Sequence, residues 1–533
     1  MAAAADSAPS FDYVIVGAGA AGCLLADRLS ADGQHRVALL EAGGSDRTPN
    51  VMIPAAFAKL FKTERDWAYS TEPEPALDGR RLFWPRGKML GGSSSLNAMM
   101  YVRGNRLDYE TWGALAGSGW SFEVARQTFL RFEKNLHAPA DIYGRAGTQV
   151  VEPQREPNVI THAFLEACAA QGIRSLRDLS EFDNDGCALT SVTQKRGLRF
   201  SAADAFLRPA LGRKNLTVFK HVRVDKLELD GRRVVGVRGT QKDGSALLVR
   251  AQREVISCGG AIGSTQLLLL SGIGPAAELS ALGLAPVHDL PGVGRNLQDH
   301  VLVGVIHTCP HPVTLFAAES LKQLARFVAL RRGMLTSNVA EAVAFVRSGP
   351  SQEAPDLELI SAPVPYIDHG SVAPTGHGLS IAVVLLTPES RGRITLTSRD
   401  PEAAPRIEPR YLTDPDGSDM ARLVAGLRRA QKLFETAPLA KYVGDVIEAP
   451  REGAPDSEVA AFVRAQLETI YHPVGTCRMG SDDDSVVDPL LRVRGIEGLR
   501  VADASVMPTI TRGHTYAPTL LIAERAADIL RGL

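Results

Sequence analysis

The sequence predicts a mixed α/β chain in two parts, one around a parallel sheet with a β-meander, the other around an antiparallel sheet with flanking helices. Three observations predict it. A buried apolar run, a glycine turn and a helical run follow one another at the start of the chain. Residues 215–258 fall into short apolar runs separated by Asp-Gly turn signals. Between 301 and 469 the composition shifts to prolines and short β-branched runs, with a helical stretch over 423–435.

The chain has 533 residues and is 45% hydrophobic, enough to bury a large core and to form two or three domains. It reads as soluble and globular. Its 59 basic and 60 acidic residues leave a net charge of -1, which argues against a nucleic acid partner. Six scattered cysteines suggest neither a zinc site nor a disulfide framework, and reduced thiols point to a cytoplasmic location. Residues 1–10 read as a flexible N-terminus without the pattern of a secretory signal. Residues 321–332 (LKQLARFVALRR) place Leu321, Leu324, Phe327 and Val328 on one helical face. That segment reads first as a helix packing on its own core with solvated basic residues. Peripheral contact with the inner face of a membrane stays open.

The first element is a strand over 11–16 (FDYVIV), running into Gly17, Ala18, Gly19, Ala20, Ala21 and Gly22 and then a helix over 23–30. The first glycine permits a tight turn, the second lets backbone approach a pyrophosphate, and the third lets helix and strand pack closely. A second strand, 36–40, ends on Glu41, nineteen residues beyond Gly22, followed by Ala42. An acid there binds ribose hydroxyls and argues against a 2′-phosphate. The pattern is a Rossmann-like dinucleotide site, with FAD and NAD undecided.

The run from Arg86 through Gly87, Met89 and Gly92 to Asn97, Ala98, Met99 and Met100 is too rich in Gly and Ser to pack a core. It suits close backbone approach and hydrogen bonding to a ligand. Here the sequence resembles the glucose-methanol-choline (GMC) family of FAD-dependent oxidoreductases. Residues 87–97 match the first family signature and 260–274 the second, with Thr265 where the family usually has Pro or Ser. Residues 289–300 and 472–480 (HPVGTCRMG) also read like family segments, so the likeness runs from about 11 to 530.

The resemblance implies an FAD-binding domain from 11–151, 199–300 and 470–533, and a substrate domain from 152–198 and 301–469. It implies that Gly17, Ala18, Gly19, Ala20, Gly22, Glu41, Ala42, Gly87, Met89, Gly92 and residues 97–100 surround FAD, with Trp67 approaching it and Val222 meeting the adenine through its backbone. Leu96 stands where some members carry a flavin-linking histidine, which implies non-covalent FAD.

The meander reads as antiparallel strands over 216–221, 222–229, 234–240 and 247–258, the last rejoining the parallel sheet. Residues 333–341 resemble the pocket strand of bacterial alcohol dehydrogenases. Ala340 and Ala342 stand where the family's light-driven decarboxylases have cysteine and arginine, which disfavours decarboxylation. The acidic run 482–484 reads as a solvated turn, and no metal is expected.

Near the C-terminus, His472 matches the family's catalytic base and His514 its partner position, where many bacterial relatives carry asparagine. His300 reads as a packing or sheet-capping residue. A strand over 499–502 leads to Asp503 and Ala504 at the flavin. Tyr516 crowds the flavin edge or brings a hydroxyl to it, and Ala517 and Pro518 open a helix whose N-terminus favours the negative charge of reduced flavin. The expected reaction is oxidation of a primary alcohol, aliphatic or aromatic, to its aldehyde, with electrons passed to a quinone or other acceptor. An oxygen-using oxidase producing hydrogen peroxide is the alternative. A lyase with structural FAD, or a flavin-binding protein without turnover, is the reading of another class.

Overall fold

The computed structural model describes residues 8–370 and 372–533. Residues 1–7 of the expected flexible N-terminus lie outside the described residues, but its last residues are structured. Pro9 O accepts from Arg250 N at 2.9 Å, and Ser10 already belongs to the first strand, Ser10–Val16.

The first sheet has seven strands. Leu216–Lys220, Val37–Glu41, Ser10–Val16, Ala246–Ser257 and Leu499–Val501 pair in parallel. Arg233–Gln241 and Val222–Asp230 continue it antiparallel from the outer half of Ala246–Ser257. The valine- and leucine-rich strands are buried on both faces because helices cover them, Ala20–Ser30 and Tyr516–Arg531 packing together on one side. The sequence reading errs at 216–220, which pairs in parallel with Val37–Glu41 instead of opening the meander. Only His221, at φ 57, separates it from Val222–Asp230. A hairpin needs about two loop residues, so the two runs cannot pair with each other.

The second sheet is antiparallel, in the order Val446–Glu448, Val301–Thr308, Gly378–Leu385, Leu357–Ala362, Ala342–Val346 and Gly186–Leu189, with Glu468–Thr469 also pairing Val301–Thr308. One face is covered by the helices Ser418–Phe434 and Val159–Ala170, whose apolar residues share a core with Leu357, Leu359 and Val383. Tyr69, Leu77, Leu82 and Trp84 pack into the same core.

Two further expectations change. Residues 333–341 are not a strand: a short 3-10 turn, Met334–Thr336, leads to Val339 at φ 71, and the strand begins at Ala342. The helix Leu321–Leu330 forms but does not pack on its own core, since Phe327 is its one buried residue. Among the described residues no helix is long and apolar enough to cross a membrane.

Candidate active site

A chamber of about 660 Å³ lies between the carboxyl ends of the parallel strands and the uncovered face of the second sheet. Gly17, Gly19 and Ala20 line it with Glu41, Ala42 and Trp67, and so do Gly87, Gly92, residues 97–100 and Val222. Asp503, Ala504, Tyr516 and both histidines complete the predicted residues that reach it. Five others stand behind the wall: Ala18, Gly22, Met89, Ala517 and Pro518. Ala18 donates its amide to Glu41 Oε2 at 2.9 Å. Met89 is fully buried against Val51, Leu60 and Leu96. Ala517 and Pro518 are buried in the first turn of Tyr516–Arg531, because that helix begins earlier than expected.

The glycine turn separates three physical roles. Gly17 has φ 98, and a Cβ there would lie 2.6 Å from Cys258 O. At Gly22 a Cβ would lie 1.9 Å from Gly17 O, so this glycine lets helix and strand meet. At Gly19 the nearest protein atom would be 4.0 Å away, so nothing in the protein demands a glycine. Its open side faces the chamber, which fits close approach by a pyrophosphate. Glu41 is held by the amides of Ala18 and, at 2.8 Å, Gly43, yet each carboxylate oxygen keeps room to accept from a ribose. Burial, against those amides and Lys88, pushes its carboxyl up to about 7. Lys88 Nζ also lies 4.5 Å from the Trp67 ring centroid.

Three helix N-termini, at Ala20, Gly260 and Tyr516, converge on the chamber and favour negative charge in it. Gly259, Gly260 and Gly263 line the wall but were not among the expected cofactor residues; the signature over 260–274 was their signal. Asp503 ties this turn down, accepting from Gly260 N at 2.8 Å and Ser264 Oγ at 2.5 Å. The Tyr516 hydroxyl donates to Gln149 Oε1 at 2.7 Å, so this residue offers the chamber its ring.

His472 follows Tyr471, which is held at φ 68. Its amide donates to Asp299 Oδ1 at 2.6 Å, and Asp299 Oδ2 also accepts from Tyr411 Oη at 2.6 Å and Thr469 Oγ1 at 2.5 Å. Burial lifts the Asp299 carboxyl to about 6 against those donors.

His300 Nε2 lies 3.0 Å from Leu386 O, and a carbonyl can only accept. Burial, and then the charge of His514, push His300 down to about 3, so it is neutral and its Nδ1 is an acceptor. Its Nδ1 is 3.0 Å from His472 Nδ1, which must therefore carry the proton. The chain of donors fixes His472 as the Nδ1–H tautomer with Nε2 bare, and no protein group among the described residues meets Nε2. Burial, His514, His300 and Arg86 hold His472 well below the ordinary histidine range, so the ring is neutral at neutral pH and its Nε2 lone pair is free. His300, fully buried and capping Leu386 O just beyond the strand Gly378–Leu385 as a sheet-capping residue would, is also the neighbour that sets the tautomer of His472.

His514 crosses His472 edge to face, ring centroids 4.9 Å apart. Its Nε2 lies 2.9 Å from Oε1 of the fully buried Glu358, whose Oε2 has no hydrogen-bond partner among the described residues. Glu358 lies in one row of the second sheet with Val384 and Leu302. The next rows, Gly304–Ala382–Ile360 and Ile306–Ser380–Ala362, form an apolar wall extending from His514. From 358 to 362 that wall is about 13 Å long at strand spacing. Val339, a β-branched residue at φ 71, also lines the chamber, and such strain concentrates at functional sites.

Farther out, Asp368, His369 and Glu468 each bring one ligand-capable atom within 4.8 Å of the others, a grouping not anticipated from the sequence. His369 Nε2 pairs with Glu468 Oε2 at 2.7 Å, and Arg80 holds Glu468 at 2.9 Å. The acidic run 482–484 is exposed, with Asp482 held by Arg478 at 2.7 Å.

A sheet carrying the glycine turn and acid of a dinucleotide site, turned toward a histidine with a free lone pair in a chamber roofed by a second sheet, fits a nucleotide-dependent oxidoreductase. Two GMC oxidoreductase family models match residues 11–302 and 388–523. A GMC-type oxidoreductase of Mycobacterium tuberculosis is 49% identical over 98% of this chain and 99% of its own length. An alcohol dehydrogenase [acceptor] of Pseudomonas putida is 41% identical, covering 98% of this chain and 95% of its own. The crystal structure of pyridoxine 4-oxidase from Mesorbium loti superposes with a TM-score of 0.89 at 32% identity, covering 98% of this chain and 99% of that one. The chain belongs to the GMC oxidoreductase family, and it is an FAD-dependent oxidoreductase acting on CH–OH groups.

Proposed function

We propose that this enzyme oxidises a primary alcohol, aliphatic or aromatic, to its aldehyde with His472 as the base. The observation that supports it most is the bare Nε2 of His472, fixed by His300 and Leu386 O in the chamber that Gly19 and Glu41 also line. The substrate hydroxyl donates to Nε2, and its proton passes there as the carbonyl forms. His472 keeps its Nδ1–H on His300 Nδ1 throughout, so the ring stays in place as it becomes charged. His514, held by Glu358, stands beside the developing alkoxide and stabilises it. FAD, when bound, supplies the acceptor for the hydride of the carbinol carbon. Leu96 offers no nucleophile for a flavin, which supports non-covalent binding. The apolar rows of the second sheet accommodate the carbon tail of the substrate.

Electrons then go to a quinone or another carrier, a reading supported by the relative named for an unspecified acceptor. Oxygen is the second reading, supported by the structural neighbour named as an oxidase. The test is anaerobic titration of the yellow protein with primary alcohols, choline and aldose sugars, followed by air. Bleaching by an alcohol is expected, and slow recolouring marks a dehydrogenase. His472→Ala should slow bleaching at least about 10²-fold without releasing FAD. A variant that bleaches normally removes His472 from the mechanism, and a wild-type protein that never bleaches favours a lyase or a binding protein.

A further inference from the structure

The helix Leu321–Leu330 stands proud of the surface. Every residue in it except Gln323 and Phe327 is exposed. Leu321 is 84% exposed, Val328 63% and Leu324 43%, and these three share one stripe at i, i+3 and i+7. Phe316, in the turn before the helix, is 43% exposed and enlarges the patch. A soluble surface rarely gathers this much aliphatic area on one helix without a partner.

At the border of the patch Lys322, Arg326, Arg331 and Arg332 outnumber the carboxylates Glu156 and Glu319, although the whole chain has a net charge of only -1. Arg326 and Arg332 share a single carboxylate, Glu156, at 3.0 and 3.7 Å. Lys322 and Arg331 have no carboxylate partner among the described residues, and the Arg331 guanidinium instead lies 5.1 Å from the Phe327 ring centroid. The turn at Gly197 brings Arg155 alongside the Arg331 backbone.

The helix also adjoins the rim of the chamber. The Met334–Thr336 turn after it packs on Pro54–Leu60, whose Phe57 lines the chamber. Lys59 of that segment pairs with Glu319, just before the helix, at 2.5 Å.

We propose that Leu321–Leu330 is an interfacial docking helix that seats this enzyme on an anionic lipid bilayer with the chamber rim toward the lipid. The aliphatic stripe enters the headgroup boundary and the unpaired cations meet anionic headgroups. Charge complementarity selects this occupant. A second copy docked by the same face across a two-fold axis would set one basic border against the other. An interfacial helix of this kind lies in the headgroup plane and needs no spanning segment.

The test is flotation of the FAD-loaded, full-length enzyme with vesicles of phosphatidylcholine alone or with about 30 mol% phosphatidylglycerol. Binding to the anionic vesicles alone is expected, weakening as salt is raised. Leu321→Glu/Val328→Glu, both at exposed positions, should lower vesicle affinity at least about tenfold. Turnover with a soluble dye acceptor should stay unchanged. Absence of binding to anionic vesicles, or equal binding by the double variant, overturns the proposal. So does a dimer in light scattering that the double variant converts to monomer, because a second copy would then cover this face.

Discussion

His300 decides the state of another imidazole without touching the reacting atoms. One carbonyl, Leu386 O, sets its tautomer, and that tautomer sets the tautomer of His472. A similar decision by environment occurs at Glu41, where burial pushes the carboxyl up to about 7 from its ordinary 4.5. Ribose hydroxyls donate to a carboxylate, so FAD selects the ionised form, and binding must release a proton wherever the apoprotein holds one. FAD should therefore bind apoprotein about tenfold more weakly near pH 6 than near pH 8. The stability of the apoprotein moves the other way. A carboxyl whose folded pKa is raised contributes most below about 4.5, and that contribution is lost as pH rises through about 7. Calorimetric titration of FAD at the two pH values checks the first sign, and Glu41→Gln should flatten the dependence. A wild-type affinity that does not change with pH would remove Glu41 from the nucleotide contact.

At the scale of the element, the strand, glycine turn and helix were legible because their constraints are local. Two of the three glycines are required by backbone contacts within the turn or directly beside it, and the third is not. The difference can be measured. Gly22→Ala puts a methyl 1.9 Å from Gly17 O, and should destabilise even the apoprotein by more than about 2 kcal/mol. Gly19→Ala meets no protein atom nearer than 4.0 Å, and should leave the apoprotein melting temperature unchanged while weakening FAD binding at least about tenfold. Equal destabilisation of the apoprotein by both would show that Gly19 serves the fold and not the ligand. The parallel pairing of 216–220 was not legible, because alternation reveals a strand and not its partner. Residues 333–341 misled for a related reason: polar contacts of Ser337, Asn338 and Glu341 side chains hold an irregular turn where resemblance alone suggested a strand.

At the scale of the whole molecule, the two histidines proposed to act in catalysis sit where the two sheets meet. His472 and His514 come from segments against the first sheet, whereas in the second sheet Leu386 directly follows the strand Gly378–Leu385 and Glu358 is the second residue of Leu357–Ala362. His472 and His514 were legible from their neighbours in sequence. Glu358 was not: in the run 357–362 (LELISA) it is one acid on an alternating strand, and only the approach of a residue 156 positions away gives it a purpose. Its buried carboxylate spans the junction of the sheets as a single charge-assisted contact, so two substitutions can separate charge from connection. Glu358→Gln keeps an acceptor for His514 Nε2–H but removes the charge, and kcat/KM should fall about tenfold with little change in stability. Glu358→Leu leaves that buried N–H without an acceptor, which costs about 1–3 kcal/mol of stability. With His514 also free to turn, kcat/KM should fall at least about 10²-fold, or roughly 3 kcal/mol in the barrier. Chemical denaturation together with anaerobic reduction kinetics of both variants checks the pair. If the leucine variant reduced its flavin as fast as the wild type, the contact would be scaffolding between the sheets, and His514 would act without it.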